Sequence, residues 1–353
     1  MLFDVPFLPD DDYIRFLTRQ RKHLNSVYFS LNRPEIKDAR YRLKMMNPDD
    51  LIPALRSIPG VPKFALLNSR VHPPGDYLDP EKVERAADTL RRFKESDVLD
   101  GIAFADAYFL KALSEVAPAS VQGLQAVPSI NFMIDTPDKL HAVLDCISSA
   151  APFRLPEKVF LDRSLNRNWK SLEKVVQWCR REEPQLKIGL LVNEGCLYQC
   201  PFKPAHDCLI ACSHMDMHVD TFSINQAFGC IQILRKSPAE IFRSPFIRPE
   251  DVARYEDLVD VLKICGRTLG AVFLARALQA YIDRAYHGNL LDLLDASNWM
   301  ADEVYLANDQ LPQDFIERMT GCSKDCRHCD ACRELQNACM HPVEPGFKDL
   351  RGQ

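Results

Sequence analysis

Nothing in this 353-residue chain approaches the ~18 uncharged apolar residues that a membrane span requires. No basic surplus exists either. The chain has 44 lysines and arginines against 49 aspartates and glutamates, a net charge of −5, so no global basic footprint argues for nucleic acid, although a local RNA-binding patch stays open. The first residues, Met1 to Pro6, lack a basic n-region and soon reach Asp10-Asp11-Asp12, which does not read as a secretory signal. Internal repeats and low-complexity tracts are absent. So are a Walker loop, a His-Glu-x-x-His helix and a Gly-x-Ser-x-Gly elbow, and nothing supports a nucleophilic triad.

What is present is a globular composition, 46% apolar and 26% charged. The length suits one large domain with an appendage, which we place at residues 1–295 and 296–353. Thirteen cysteines without an export signal predict a cytoplasmic, reducing setting in which structural disulfides are not expected. Only Cys146 and Cys179 precede residue 190; five cysteines lie from Cys196 to Cys230 and five more from Cys322 to Cys339. Cysteine used as a small apolar side chain would scatter. Clustering points to ligands.

Short β-branched or aromatic runs predict strands at 27–31, 64–67, 102–105, 129–132, 159–161, 188–192 and 261–264. Between them, helical patterns such as 80–93, 137–149 and 172–181 indicate parallel crossover units, and a further helix is expected near 269–294. Seven or eight units predict a (β/α)8 TIM-like barrel, α/β in class, with a cysteine-rich C-terminal extension. One strand is indistinct and is expected between Ser213 and Ile233; an open doubly wound sheet is the alternative. Barrel chemistry gathers where strands end. Asn32, Arg33, Asn68, Arg70, Asp106, Asp135, Asp162, Arg163, Asn193 and Glu194 therefore predict a polar pocket.

The first cysteine constellation follows the strand at 188–192, in Asn193-Glu194-Gly195-Cys196-Leu197-Tyr198-Gln199-Cys200-Pro201-Phe202, with Cys208, Cys212 and Cys230 beyond. Gly195 permits a tight turn, and Pro201 stops a helix. Cys196 and Cys200 can present both sulfurs on one side of a turn. Thiolates are soft and charged, so several held together need a metal or cluster. Four of the five could complete a 4Fe-4S set. Zinc is the rival, with His206, His214 and His218 nearby, but structural zinc favours paired Cys-x2-Cys knuckles. The second constellation is Cys322, Cys326, Cys329 and Cys332, followed by Cys339. Its x2 repeats match the bacterial ferredoxin run, less that run's final Cys-Pro. A small zinc knuckle is the alternative here. Cys322-x3-Cys326-x2-Cys329 also matches the radical S-adenosylmethionine signature, yet only 353 − 329 = 24 residues follow, too few for the barrel such enzymes place after it. A lone Cys265 reads as a packed thiol.

Together, the 193–202 segment, Ser244-Pro245-Phe246-Ile247-Arg248-Pro249-Glu250-Asp251 with Lys263-Ile264-Cys265-Gly266-Arg267, and the run from Tyr281 to Leu294 resemble the collagenase-like peptidase family U32, over roughly residues 25–294. The resemblance implies a barrel carrying one 4Fe-4S cluster and relatives that support oxygen-independent hydroxylation of ubiquinone precursors or RNA bases. It matches Cys196 and Cys200 to paired ligands and Cys230 to the ligand before the Ile-Arg-Pro-Glu-Asp block, with Cys212 preferred to Cys208 as the fourth. Cys265 stands where the family pattern leads us to expect an acidic residue. The C-terminal cysteines lie outside the family core and suggest a second cluster or an electron-entry site. The expected activity is therefore an iron–sulfur oxidoreductase acting on a small-molecule or RNA substrate, with an electron-donor or paralogous protein partner. The alternatives are a non-catalytic iron–sulfur or zinc relay protein and, less favoured by the residues, a peptidase.

Overall fold

Along the strands, one set of alternate side chains is apolar and packs outward; the set between mixes aromatic, aliphatic and charged side chains and faces a lumen. The computed structural model describes residues 1–31, 33–38, 47–213 and 220–343. Its strands are β1 (Leu2–Pro6), β2 (Leu24–Phe29), β3 (Lys63–Leu67), β4 (Gly101–Phe104), β5 (Gln125–Pro128), β6 (Lys158–Phe160), β7 (Lys187–Leu191) and β8 (Val261–Lys263). They form one sheet in the order β5-β4-β3-β2-β1-β8-β7-β6, and every adjacent pair is parallel. The fold is a nearly closed (β/α)8 barrel. At the seam, β5 meets the segment before β6 rather than β6 itself: the Ala126 N–H donates to the Arg154 carbonyl at 3.1 Å, and Gln125 Nε2 donates to Glu157 at 2.7 Å.

The helices begin where side chains can accept from their orphan N–H groups. Asp79 caps the helix 80–95, Thr136 the helix 137–148 and Asn168 the helix 169–182. Helix 80–95 buries Val83, Ala86, Ala87, Leu90 and Phe93 on one face, the i, i+3, i+4, i+7 stripe that rests on the outer faces of the strands. Full burial of residues such as Leu90 and Phe93 stabilises by about 1.5–3 kcal/mol each.

Three expectations change. The strand missing from the sequence reading is β1 at the amino terminus; residues 221–228 and 230–236 are helices instead. In β1, Phe3 and Val5 pack outward while buried Asp4 interrupts the apolar run, and that carboxylate hides the strand. The run 129–132 is a 3-10 turn following β5, because Pro128 ends the strand and Ser129 Oγ accepts from the Asn131 N–H at 3.4 Å. The expected helix near 269–294 spans only Gly270–Asp283, stopping at Arg284 in the left-handed region (φ 55°).

The C-terminal segment packs on the barrel through Phe315, stacked on Phe246 at 6.0 Å between centroids. It carries an antiparallel pair, β9 (Val304–Leu306) with β10 (Met340–Pro342). Among the described residues, no helix is long and apolar enough to cross a membrane.

Candidate functional site

The lumen is more polar than a barrel filled by branched aliphatic layers. Tyr28, Phe64, Leu66, Ala103 and Val127 form its apolar floor. Gly189 lacks a side chain because a Cβ there would lie 2.4 Å from the Phe160 ring. Above the floor lies an ion pair: Lys158 Nζ stands 2.6 Å from Asp4 Oδ2, with both side chains at most 5% exposed, and Nζ also donates to Ser26. Lys263 enters from the end of β8, 3.4 Å above the Tyr28 ring and 4.7 Å from that of Phe160. Burial draws its ammonium down to about 7, Asp4 opposes this, and Lys158 reinforces it. The aromatic faces act the other way, favouring the charged form.

The cavity at the barrel mouth is lined by Asn68, Arg70, Arg163 and Glu194, four of the expected strand-end residues. Arg163 pairs with Glu194, Arg267 with Asp38, and Arg70 with Asp207 at 3.4 Å. The other expected residues serve elsewhere. Asp106 binds His72 and Tyr77 while capping the helix 107–116. Asp135 pairs with Lys139 near the surface, and Asp162 caps a short turn. Arg33 lies 3.4 Å from Glu35. Asn193 is a structural tie and does not line the cavity. Asn32, His214 and His218 lie outside the described residues. Asp4, Lys158 and Lys263 were missed by the sequence reading, although a lysine interrupting a strand-like run, as in Val261-Leu262-Lys263-Ile264, signals an inward polar position. Cys265 also lines this cavity rather than packing in the core, with Sγ 3.3 Å from Asn193 Oδ1.

Beside it, the loop after β7 builds the first cysteine site. Cys196, Cys200 and Cys230 line one cavity of about 440 Å3; neither Cys208 nor Cys212 does. The segment 196–200 is an irregular turn with Gln199 in the left-handed region (φ 48°). Gly195 lies against Ser297, whose Oγ a Cβ would overlap at 1.8 Å. Burial pushes all three thiols up, foremost at Cys196, where Glu194 adds to the effect while Arg163 and Lys203 oppose it. The N–H groups of Phe202 and Lys203 hold the Cys200 thiol down in part, and proximity to Cys200 pushes Cys230 up. Partly buried sulfurs that resist ionising become thiolates most readily beside a cation or cluster.

The second site lies under the C-terminal segment. Cys322, Cys326, Cys329, Cys332 and Cys339 line a cavity of about 680 Å3 together with Arg167, Arg243 and Lys324. The Cys332 thiol is pushed up to about 11 by burial first, and then by Cys322, Cys326 and Cys329. Four thiols thus share one field. Among the described residues, no three His, Cys, Asp or Glu side chains are drawn close enough to hold a single metal ion as arranged.

The motifs away from the cysteines are architectural. Arg248 makes two 2.8 Å bonds to Asp251, stacks on Phe315 and donates to the Pro312 carbonyl at 3.3 Å. Glu250 accepts from Asn308 Nδ2 and the Tyr286 N–H, each at 2.8 Å. This block therefore clamps the C-terminal segment to the barrel.

No family model matches the chain. It is similar, at 31% identity, to the uncharacterized protease MJ1657 of Methanocaldococcus jannaschii, over 268 residues that cover 74% of this chain and 72% of the relative. The chain belongs to peptidase family U32. A solved U32 peptidase, Mk0906, is 15% identical to this U32 chain, with a TM-score of 0.49 over 75% of this chain and 92% of that one. A likeness at that level adds nothing about chemistry.

Proposed function

We propose that this U32 chain is an iron–sulfur oxidoreductase, holding a 4Fe-4S cluster on Cys196, Cys200 and Cys230 at the barrel mouth. The fourth sulfur is carried over from the family resemblance, Cys212 in preference to Cys208; neither lines the cavity, so the helix Lys203–Cys212 would have to bring it in when the cluster binds. The reading rests on one observation: three cysteines from two separate stretches of chain line the same cavity, beside the charged lumen. The donor set fits the group. All three thiols are partly buried, Cys200 accepts backbone N–H groups, and the cations Arg163 and Lys203 act on Cys196. A cubane also draws thiolates from a wider cage than one zinc ion does.

Such a cluster supplies one-electron chemistry, tuned by its exposure and hydrogen bonds. The chain's own residues do the rest. Leu197, Ile231 and Leu234 wall the cysteine cavity with apolar surface. Arg163 and Arg70, held by Glu194 and Asp207, orient polar groups at the mouth, and Lys263 can hold or release a proton on its Nζ near neutral pH. This suits oxygen-independent hydroxylation, or a related modification, of a small molecule or an RNA base.

A peptidase reading is favoured by the name of the M. jannaschii relative and by His206, which lines the cysteine cavity. Against it, a cysteine nucleophile needs a lowered pKa, and these thiols are pushed up. The deciding experiment is oxygen-free purification of the wild type and Cys200→Ala, with iron and sulfide counts and a peptide-hydrolysis assay. We expect the substitution to abolish the barrel-mouth cluster. Unchanged iron in Cys200→Ala would refute the ligand set, and hydrolysis by a metal-free wild type would establish the peptidase.

A further inference from the structure

The family resemblance accounts for one cysteine site and leaves the other unexplained. Cys322, Cys326, Cys329 and Cys332 come from one short stretch yet surround a cavity closed on its far side by barrel residues, Arg167 and Tyr198 among them. The stretch is pinned in place. Lys324 adopts the left-handed region (φ 62°), its N–H donates to Cys322 Sγ at 3.4 Å, and its Nζ binds the carbonyls of Cys322 (2.8 Å), Met319 (3.1 Å) and Arg167 (3.2 Å). One ammonium thus ties the tail loop to the barrel wall at the Arg167 carbonyl and braces the loop on itself at the other two.

Arg167 supplies a second, independent observation. It is 1% exposed, and neither Nη1 nor Nη2 has a hydrogen-bond partner at ordinary distance and angle, the uncharged Tyr255 hydroxyl being the polar group beside it. Its Nε is satisfied by the Ser244 carbonyl at 3.0 Å, and the guanidinium lies over Phe246 and Phe315. The neighbouring Tyr255 hydroxyl donates to the Asn166 carbonyl at 2.7 Å, and Asp251, the nearest acidic influence, is committed to Arg248. A buried cation without a counter-charge is costly. An anionic body in the adjoining cysteine cavity would offset it.

We propose that Cys322, Cys326, Cys329 and Cys332 hold a second iron–sulfur cluster, wedged against the barrel by Arg167 and separated from the first cysteine site by the single turn that bears Tyr198. The placement follows from that turn. Tyr198 lines the tail cavity while Cys196 and Cys200, two residues to either side, line the other. Two residues span at most about 7 Å of chain, so the two sites lie back to back. Cys326 and Cys329 are exposed, which puts the tail site on the surface where a reductant can reach it. Its role is electron entry: one electron passes from an external one-electron reductant, which is oxidised, to the tail site and on toward the barrel mouth, with no bond made or broken. Only this last role rests on the barrel-mouth reading; the tail site stands by itself.

The test uses the full chain, purified without oxygen, as wild type, as Cys200→Ala and as the pair Cys326→Ser with Cys329→Ser. Both serines replace exposed side chains, and a far-ultraviolet circular dichroism spectrum like that of the wild type verifies that the fold persists. We expect about eight irons in the wild type and about four in each variant. Dithionite reduction of the wild type should give a broadened electron paramagnetic resonance signal from two interacting spins, collapsing to a simple signal in either variant. A paired-serine variant that keeps all the wild-type iron, or a tail that carries zinc, overturns the proposal. Eight irons with no spin interaction would overturn the back-to-back placement. If Cys200→Ala keeps its iron while the serine pair loses half, the barrel-mouth ligand set fails and the tail site survives.

Discussion

Asn193 offers the sharpest test of how the barrel holds its first cysteine loop. It sits just beyond β7, is fully buried, and ties three segments together. Its Nδ2 donates to the carbonyls of Cys265 at 2.9 Å and Leu293 at 3.0 Å, and its Oδ1 accepts the Cys265 N–H at 2.8 Å. Asn193→Ala removes these three backbone bonds and the Cys265 thiol contact to Oδ1 at 3.3 Å, each backbone bond contributing about 1 kcal/mol net, and leaves buried backbone groups unsatisfied at about 1–3 kcal/mol each. We therefore expect a loss of at least about 3 kcal/mol, read as a lower urea midpoint with an unchanged slope. The fluorescence of the three tryptophans would report it, with reductant present. Asn193→Asp keeps the acceptor but turns an oxygen toward two carbonyls, so it should cost no less. Because Cys196 lies three residues on, both variants should also bind less iron. A loss below about 1 kcal/mol with full iron content would refute the view that this side chain organises the loop.

Two further predictions concern the lumen. The folded-state pKa of Lys263, about 7, lies below its unfolded value, so the unfolded chain binds more protons above pH 7. Stability should then rise with pH above 7 by at most about 1.4 kcal/mol per unit, less what the Tyr28 and Phe160 faces return to the ammonium. Lys263→Met should be more stable than the wild type near pH 7, with the gap narrowing toward pH 8.5; a constant gap in urea titrations would show that this amine does not titrate there. Gly189→Ala should cost about 1–3 kcal/mol by overpacking against Phe160, and Phe160→Leu in the same chain should recover much of it. Simple additivity of the two losses in a double-mutant cycle would refute the contact.

Much of the barrel was legible because outward strand faces and helix stripes are long, periodic and apolar. Val27, Leu67, Ile102 and Ile188 announced their strands, and Pro80 and Pro137 marked helix starts. The strand that stayed hidden was β1, whose lumen position is filled by Asp4. A charge inside a strand is legible only when its partner is known, and Lys158 lies 154 positions away in the chain. The same reason explains the missed lumen site: Asp4, Lys158 and Lys263 gain meaning only once three strands meet. The expected polar ends divided for a local reason. Asp106 and Asp162 are helix and turn caps, a role open to any aspartate before a helix, whereas Arg163 and Glu194 point across the mouth to each other.

By itself the sequence determined the alternation of strands and helices in seven or eight units, the family and the two groups of cysteines, since periodicity, motif order and spacing are properties of neighbours along the chain. Only the tertiary structure decided that one cavity is lined by Cys196, Cys200 and Cys230, that Arg248 is a clamp, and that Tyr198 lies between two cysteine cavities. Each of those outcomes depends on distances between residues far apart in the chain, which the packing of helices on a closed sheet fixes and no local pattern encodes.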